Sequence, residues 1–281
     1  MKTAAQRNRG IEGRGVRECR FPRPPRALSA LLLIAAFLVI DCLATRVEAA
    51  DRFMGVAVSP SSGIYVARQD VTVRKEPKND GARTVTLKKG ERVEGVGKAP
   101  YGWIALRKDG KDIGFVFSQA LMPLIDGEIG EELSGSAPAK GGSCAYTIRF
   151  VGKSPVENEI FETSDYEVSY RCRLAGRTID VAAFMFIAEA PYEQSDVPDF
   201  QVNLDLPDIS AGDEVMSTIF RYRQGKGEVT FDSVALDTFG MKPQVASKPA
   251  KTVAEALRAV VELAPGCWND AAWKALVPLT N

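Results

Sequence analysis

Apolar and polar residues alternate in short runs between residues 64 and 124, and polar turns separate these runs. Val71 and Val73 alternate with Thr72 and a basic residue, which is the two-residue period of a half-buried strand. The dipeptide Asp109-Gly110 lies between two apolar runs and predicts a hairpin turn. Five such strands in ~60 residues predict a small five-stranded β-barrel, so we expect a mainly β fold.

The second half of the chain carries the same kind of pattern over longer runs. Alternation is clearest in residues 144–150 and 166–174, and residues 179–188 are almost continuously apolar. Further strand-like runs cover residues 202–206 and 216–222. These runs predict a second, antiparallel β-rich domain with a core of its own.

The pattern changes to a helical period near the C-terminus. Thr252 and Glu255 have the spacing of a capping box, and apolar residues then recur on one face about every 3.6 residues. The Pro265-Gly266 pair is expected to end this helix. Residues 269–276 predict another short helix that packs one of the nearby tryptophans.

Basic and then apolar residues mark the beginning of the chain. Eight basic residues precede residue 27, and residues 27–40 are almost wholly apolar. This run of ~14 apolar residues is too short to span a bilayer comfortably, and Ala49 and Ala50 offer a small residue for cleavage. We therefore expect a signal peptide over residues 1–50 and export to the periplasm or cell envelope. Membrane contact is expected only through this segment, if it stays uncleaved.

Segments rich in Ser, Gly and Pro divide the rest of the chain. Residues 51–63 predict a short lead-in, and residues 127–143 predict a flexible linker because they lack apolar periodicity. The expected domains are therefore the barrel at residues 64–126 and the β-rich domain with its C-terminal helix at residues 144–281.

The predicted barrel resembles a bacterial-type Src-homology-3 domain. The matching features, in order, are Val71–Arg74 followed by Pro77, the run at 86–90 that ends in Lys-Lys-Gly, Gly102-Trp103, and the Gly-Phe-Val run at 114–116. The resemblance covers about 60 of the 281 residues. It implies a small β-barrel of the kind found in exported proteins and often associated with cell-wall binding.

Composition narrows the classes of function. The chain has 36 basic residues, 36 acidic residues and no histidine. Beyond residue 50 there remain 27 basic and 32 acidic residues, a net charge of −5 that argues against a nucleic-acid partner. The lack of histidine excludes Ser-His-Asp and Cys-His catalysis as well as histidine-ligated zinc centres. We expect no cofactor and no metal.

Three cysteines lie beyond residue 50, namely Cys144, Cys172 and Cys267. In an oxidising compartment they are expected to form one disulfide and leave one thiol. Cys144 and Cys172 lie on strand-like runs with matching aromatic neighbours, which favours that pair. Pairing of Cys267 with either of them is the alternative.

The barrel also carries the candidate ligand-binding residues. Aromatic faces suit peptide stems and sugar rings, and basic side chains can hold a carboxylate. Gly102 places its two aromatic neighbours at a turn, where at least one ring is expected to face outward. The alternative to lining a ligand groove is that these aromatic side chains pack in the hydrophobic core, above all Trp103. The candidate groove residues are Tyr65, Tyr101, Trp103, Phe115, Arg74, Lys88 and Lys89.

These features favour a non-catalytic exported binding module for cell-wall glycopeptide or an envelope protein partner. One alternative is a structural envelope protein. Another is an acid-dependent hydrolase that acts through a carboxylate pair of the C-terminal domain. The carboxylates that cluster in sequence there are Asp196, Asp199, Asp205, Asp208, Asp213 and Glu214.

Overall fold

The computed structural model describes residues 51–192, 198–211, 214–235 and 246–276. The signal peptide predicted for residues 1–50 lies outside the described residues. The described chain is mainly β and forms two antiparallel sheets with a helical segment at its C-terminal end. The predicted mainly β fold with two β-rich parts and a C-terminal helix is therefore confirmed.

The N-terminal sheet has eight strands where the sequence predicted five. They are β1 (Asp51–Phe53), β2 (Val56–Ala67), β3 (Val71–Arg74), β4 (Arg83–Leu87), β5 (Arg92–Ala99), β6 (Trp103–Lys108), β7 (Lys111–Phe117) and β8 (Leu121–Leu124). Their order is β1-β2-β5-β6-β7-β3-β4, and β8 pairs with β2. The predicted hairpin turn joins β6 to β7, with Asp109 and Gly110 both at positive φ.

Two small apolar clusters lie on opposite faces of the N-terminal sheet, because neighbouring residues of a strand point to opposite faces. Val116 belongs to one cluster and Phe115 to the other. Phe53 of β1 completes the second cluster, and its ring packs edge-on against Phe115 with centroids 5.3 Å apart. Residues 51–63, expected to be a lead-in, therefore form β1 and the first part of β2 and cover one face of the sheet.

The C-terminal sheet is an up-and-down meander in which each strand pairs with the next along the chain. Its strands are β9 (Leu133–Ala139), β10 (Gly142–Pro155), β11 (Glu162–Leu174), β12 (Arg177–Pro191), β13 (Asp199–Ala211), β14 (Glu214–Arg223), β15 (Glu228–Ala235) and β16 (Ser247–Pro249). Strand β9 lies within the segment expected to be a flexible linker. Small residues suit this strand, because a Cβ atom at Gly135 would collide with the Tyr146 hydroxyl and Ala137 is fully buried opposite Cys144.

Helix α1 (Val253–Cys267) is buried against the C-terminal sheet along its apolar face. It contacts β9 at one end of the strand order and β15 and β16 at the other, so the sheet curls around it as a half-barrel. The capping box is present: Thr252 Oγ1 accepts from the Glu255 amide at 3.2 Å, and the Glu255 carboxylate accepts from the Thr252 amide.

The helix does not end at Pro265 as predicted; this residue lies inside its last turn, and α2 (Asp270–Leu276) follows as expected. Trp268 and Trp273 are both buried in the core. Neither of the described helices is long and apolar enough to cross a membrane.

A disulfide joins Cys144 to Cys172, the pair favoured from the sequence. The two residues face each other in the register of β10 and β11. The bond closes a sequence separation of 28 residues, which in the loop-entropy account contributes about 3.5 kcal/mol to stability. Cys267 is a buried free thiol, and burial raises its pKa to about 11.

The two sheets meet through a small apolar cluster and a buried ion network. Val66 and Leu124 of the N-terminal sheet pack with Ala190 of β12. The carboxylate of Glu189, only 1% exposed, accepts from Arg92 Nη2 of β5 at 3.0 Å and from Lys153 Nζ of β10 at 2.8 Å. One buried carboxylate therefore joins cations from both sheets.

Candidate ligand-binding cleft

A cleft of about 370 Å³ opens on the N-terminal sheet. The loop between β3 and β4 forms one wall, and the short 3₁₀ turn before β6 forms the other. Its lining residues are Lys78, Asn79, Tyr101, Trp103 and Phe117. The cleft thus combines three aromatic rings with one cation and one amide, a composition suited to an organic ligand that carries a negative charge.

Tyr101 is the most exposed of these aromatic residues, at 91% of its full accessible surface. Its φ of 61° is in the left-handed region, which is uncommon for a residue other than glycine. Pro100 precedes it, and Gly102 follows at a φ of 79°, so the chain reverses tightly around it. This turn holds the ring in solvent at the mouth of the cleft.

Trp103 and Phe117 form the aromatic floor of the cleft. They lie opposite each other on β6 and β7, and their rings meet edge-on with centroids 5.9 Å apart. Trp103 is 7% exposed and belongs to the apolar cluster around Phe53, whereas Phe117 is 40% exposed. Trp103 therefore supports the floor from the core and presents only an edge, while Phe117 offers a ring surface.

Lys78 supplies the positive charge. Its Nζ lies 2.6 Å from the Glu76 carboxylate, and both side chains are about half exposed. The hydrogen bond that Lys78 donates to the Glu76 carboxylate raises the pKa of Lys78, so the side chain stays a cation over the whole neutral range. The exposed side chain of Asn79 adds a donor and an acceptor beside it.

Two of the aromatic residues predicted for a groove lie elsewhere. Phe115 is fully buried against Phe53, so its ring is not available to a ligand. Tyr65 is half-buried, and its ring covers Gly95, where a Cβ atom would collide with it. Burial raises the pKa of the Tyr65 hydroxyl. Tyr65 therefore packs along the sheet.

The three predicted basic residues do not line the cleft either. Arg74 is half-buried, and its Nη1 donates to the carbonyl of Gly81 at 3.0 Å, which shapes the loop between β3 and β4. Lys88 Nζ lies 2.7 Å from Asp70 Oδ2, and the Lys89 amide donates to Asp70 Oδ1 at 3.0 Å. Asp70 therefore fixes the Lys-Lys turn at another edge of the sheet.

Sequence reasoning missed Phe117, Lys78 and Asn79. The signal for Phe117 was available, because it lies two residues after Phe115 and two-residue spacing places both on one face. The signal for Lys78 and Asn79 was weak, since they belong to a polar loop whose path depends on the folded sheet.

Asp199 and Asp205, two of the carboxylates proposed for a hydrolase, are too far apart along β13 to act as a pair. Asp199 accepts from Arg223 Nε at 3.2 Å, and burial raises the pKa of Asp205. These two residues are six positions apart on one strand, hence ~20 Å, beyond the separation that paired glycosidase carboxylates require. Asp208 and Glu214 are exposed, and Asp196 and Asp213 lie outside the described residues.

Across the ranges that the structure describes, no group of three or more Cys, Asp or Glu side chains is placed to hold a metal ion. Comparison with protein-family models, with curated proteins and with solved structures finds no match.

Proposed function

We propose that the protein is a non-catalytic, exported binding module that uses the cleft at Tyr101 to hold cell-wall glycopeptide or an acidic peptide of an envelope protein. The observation that carries this proposal is a tyrosine that is 91% exposed in a left-handed turn beside a cleft with an aromatic floor. A left-handed backbone conformation is strained for a residue other than glycine. Such strain persists only where the surrounding structure holds the backbone in place, and strained residues concentrate at binding sites.

The chemistry of the cleft supports this class of ligand. The rings of Tyr101 and Phe117 give contact area to a sugar face or a peptide backbone at little cost in side-chain entropy. Lys78 is placed to pair with a carboxylate, such as the free end of a peptide stem. The order of motifs that resembles a bacterial-type Src-homology-3 domain, and the basic-then-apolar start of the chain, favour the same setting in the cell envelope.

Replacing Tyr101 by alanine is expected to weaken co-sedimentation with purified sacculi or with a crosslinked envelope partner by about tenfold. This loss corresponds to the contact of one exposed aromatic residue with its ligand. The melting temperature is expected to stay within about 2 °C of the parent, because the ring makes little contact with the core.

The matched control is Tyr192→Ala. Tyr192 is another exposed tyrosine, 63% accessible, but it directly follows β12 of the C-terminal sheet and its ring lies under Arg221. This variant is expected to bind as the parent does. A folded Tyr101→Ala protein that binds as tightly as the parent and the control would reject the cleft as the binding site.

A further inference from the structure

A second cleft, of about 580 Å³, lies on the outer face of the C-terminal sheet. It crosses β10, β11 and β12 and ends at Asp208 of β13. The strand register arranges the lining residues in two neighbouring rows that run across β10, β11 and β12. One row is Ala145, Arg171 and Asp180, and the next is Thr147, Ser169 and Ala182. The cleft is on the other sheet from the Tyr101 site, so its function is independent of the one proposed above.

The shape of this cleft follows from its side chains and from a break in the sheet. Ala145, Ser169 and Ala182 are small, so backbone is exposed between the two rows. Strand β13 pairs with β12 at residues 184–187 but not beside residues 180–182, and its register with β14 shifts between Leu206 and Ser210. The departing strand places Asp208 at the end of the cleft.

The cleft presents one cation and two carboxylates. Arg171 Nε donates to Asp180 Oδ1 at 2.8 Å, which orients the guanidinium and leaves its two Nη groups without a hydrogen bond among the described residues. Within the same residues the Asp208 carboxylate makes no hydrogen bond or ion pair. Both groups are exposed and line one cleft, so a ligand that brings a carboxylate and an ammonium satisfies both.

The spacing of these groups fixes the size of such a ligand. Arg171 and Asp208 lie on strands two positions apart, and β13 departs from β12 at this point, so their backbones are separated by at least ~10 Å. An extended chain advances ~3.4 Å per residue, so about three residues cover that distance between an α-ammonium and an α-carboxylate. The Ser169 hydroxyl lies next to the Arg171 end of this span, in the neighbouring row of the cleft, where it offers a partner to a peptide group of the ligand; the Thr147 hydroxyl lies beyond it on β10.

We infer that this outer cleft is a binding site for a short zwitterionic peptide of about three residues, with its α-carboxylate at Arg171 and its α-ammonium at Asp208. The guanidinium fork takes the carboxylate, and the small floor admits the peptide backbone but no bulky side chain on that side.

The test is an NMR titration of isotope-labelled protein with trialanine that has free termini. The expected result is a shift of the amide signals of Ala145, Ser169 and Ala182. Trialanine acetylated at its N-terminus and amidated at its C-terminus is expected to bind at least about tenfold more weakly, because each blocked end loses a charge-assisted hydrogen bond.

Two pairs of variants test which residue of the cleft binds each terminus of trialanine. Asp208→Asn is expected to remove the preference for a free amino group, while Asp109→Asn, at an exposed turn of the other sheet, keeps it. Arg171→Gln is expected to remove the preference for a free carboxylate, while Arg149→Gln, in a neighbouring exposed ion pair, keeps it. Equal binding of free and blocked trialanine, or no shift at these amides up to the solubility limit of the peptide, would overturn the assignment.

Discussion

Replacing Trp103 by alanine is expected to lower the free energy of unfolding by about 3–5 kcal/mol, as measured by denaturant titration. Trp103 is 7% exposed and packs with Phe53 and Phe115 in the apolar cluster that joins β1 to β6 and β7. Truncation removes apolar contact area and leaves a cavity that a small sheet with two thin cores cannot collapse to fill.

Tyr101→Ala is the matched control, two positions away in the same turn. Its ring is 91% exposed, so the free energy of unfolding is expected to change by less than about 0.5 kcal/mol. The two variants thus separate stability from binding: the tryptophan supports the cleft, and in the function proposed above the tyrosine is the residue that contacts the ligand. Equal loss of stability in both variants would show that the turn itself is part of the core.

Replacing Glu189 by glutamine is expected to lower the free energy of unfolding by about 3 kcal/mol, because it leaves two cations facing a neutral amide in a buried site. The carboxylate is 1% exposed and receives Arg92 from one sheet and Lys153 from the other. The side chains of Arg92 and Lys153 are 39% and 29% exposed, so both cations regain part of their hydration when the carboxylate is lost. The expected loss is therefore at the lower end of the range of about 3–5 kcal/mol for breaking a buried ion pair.

The matched control for this charge is Glu167→Gln. Glu167 pairs with Arg149 on the outer face of the C-terminal sheet, where both side chains are more than half exposed. Its loss is expected to cost less than about 1 kcal/mol, as for other surface ion pairs. A loss at Glu189 no larger than that at Glu167 would contradict the role of Glu189 in joining the two sheets.

Sequence alone predicted the features that depend on local periodicity. Two-residue alternation located β10 and β11, and with them the face shared by Cys144 and Cys172. The Thr252–Glu255 spacing located the start of α1. Gly102 indicated an exposed aromatic residue at its turn, and Tyr101 has that position. Each of these features is set by residues close together in the chain.

Features that depend on distant contacts were not predictable in the same way. Phe115 is buried because Phe53, 62 positions earlier, packs on its ring. Strand β9 forms in a Gly- and Ser-rich segment because its backbone pairs with β10 and its small residues fit beside Tyr146. The sequence does indicate that Glu189 has cationic partners, because a lone carboxylate in an apolar run is buried and needs them. The sequence around Glu189 does not show which residues those partners are.

The most direct test of the Tyr101 cleft is an NMR titration of isotope-labelled protein with soluble, defined fragments of cell-wall glycopeptide. We expect saturable shifts of the Lys78, Asn79 and Tyr101 amide signals and of the Trp103 indole N–H, and these shifts are expected to weaken in Tyr101→Ala. Saturable binding that shifts signals elsewhere and leaves these four unchanged would contradict the claim that this cleft is the ligand site.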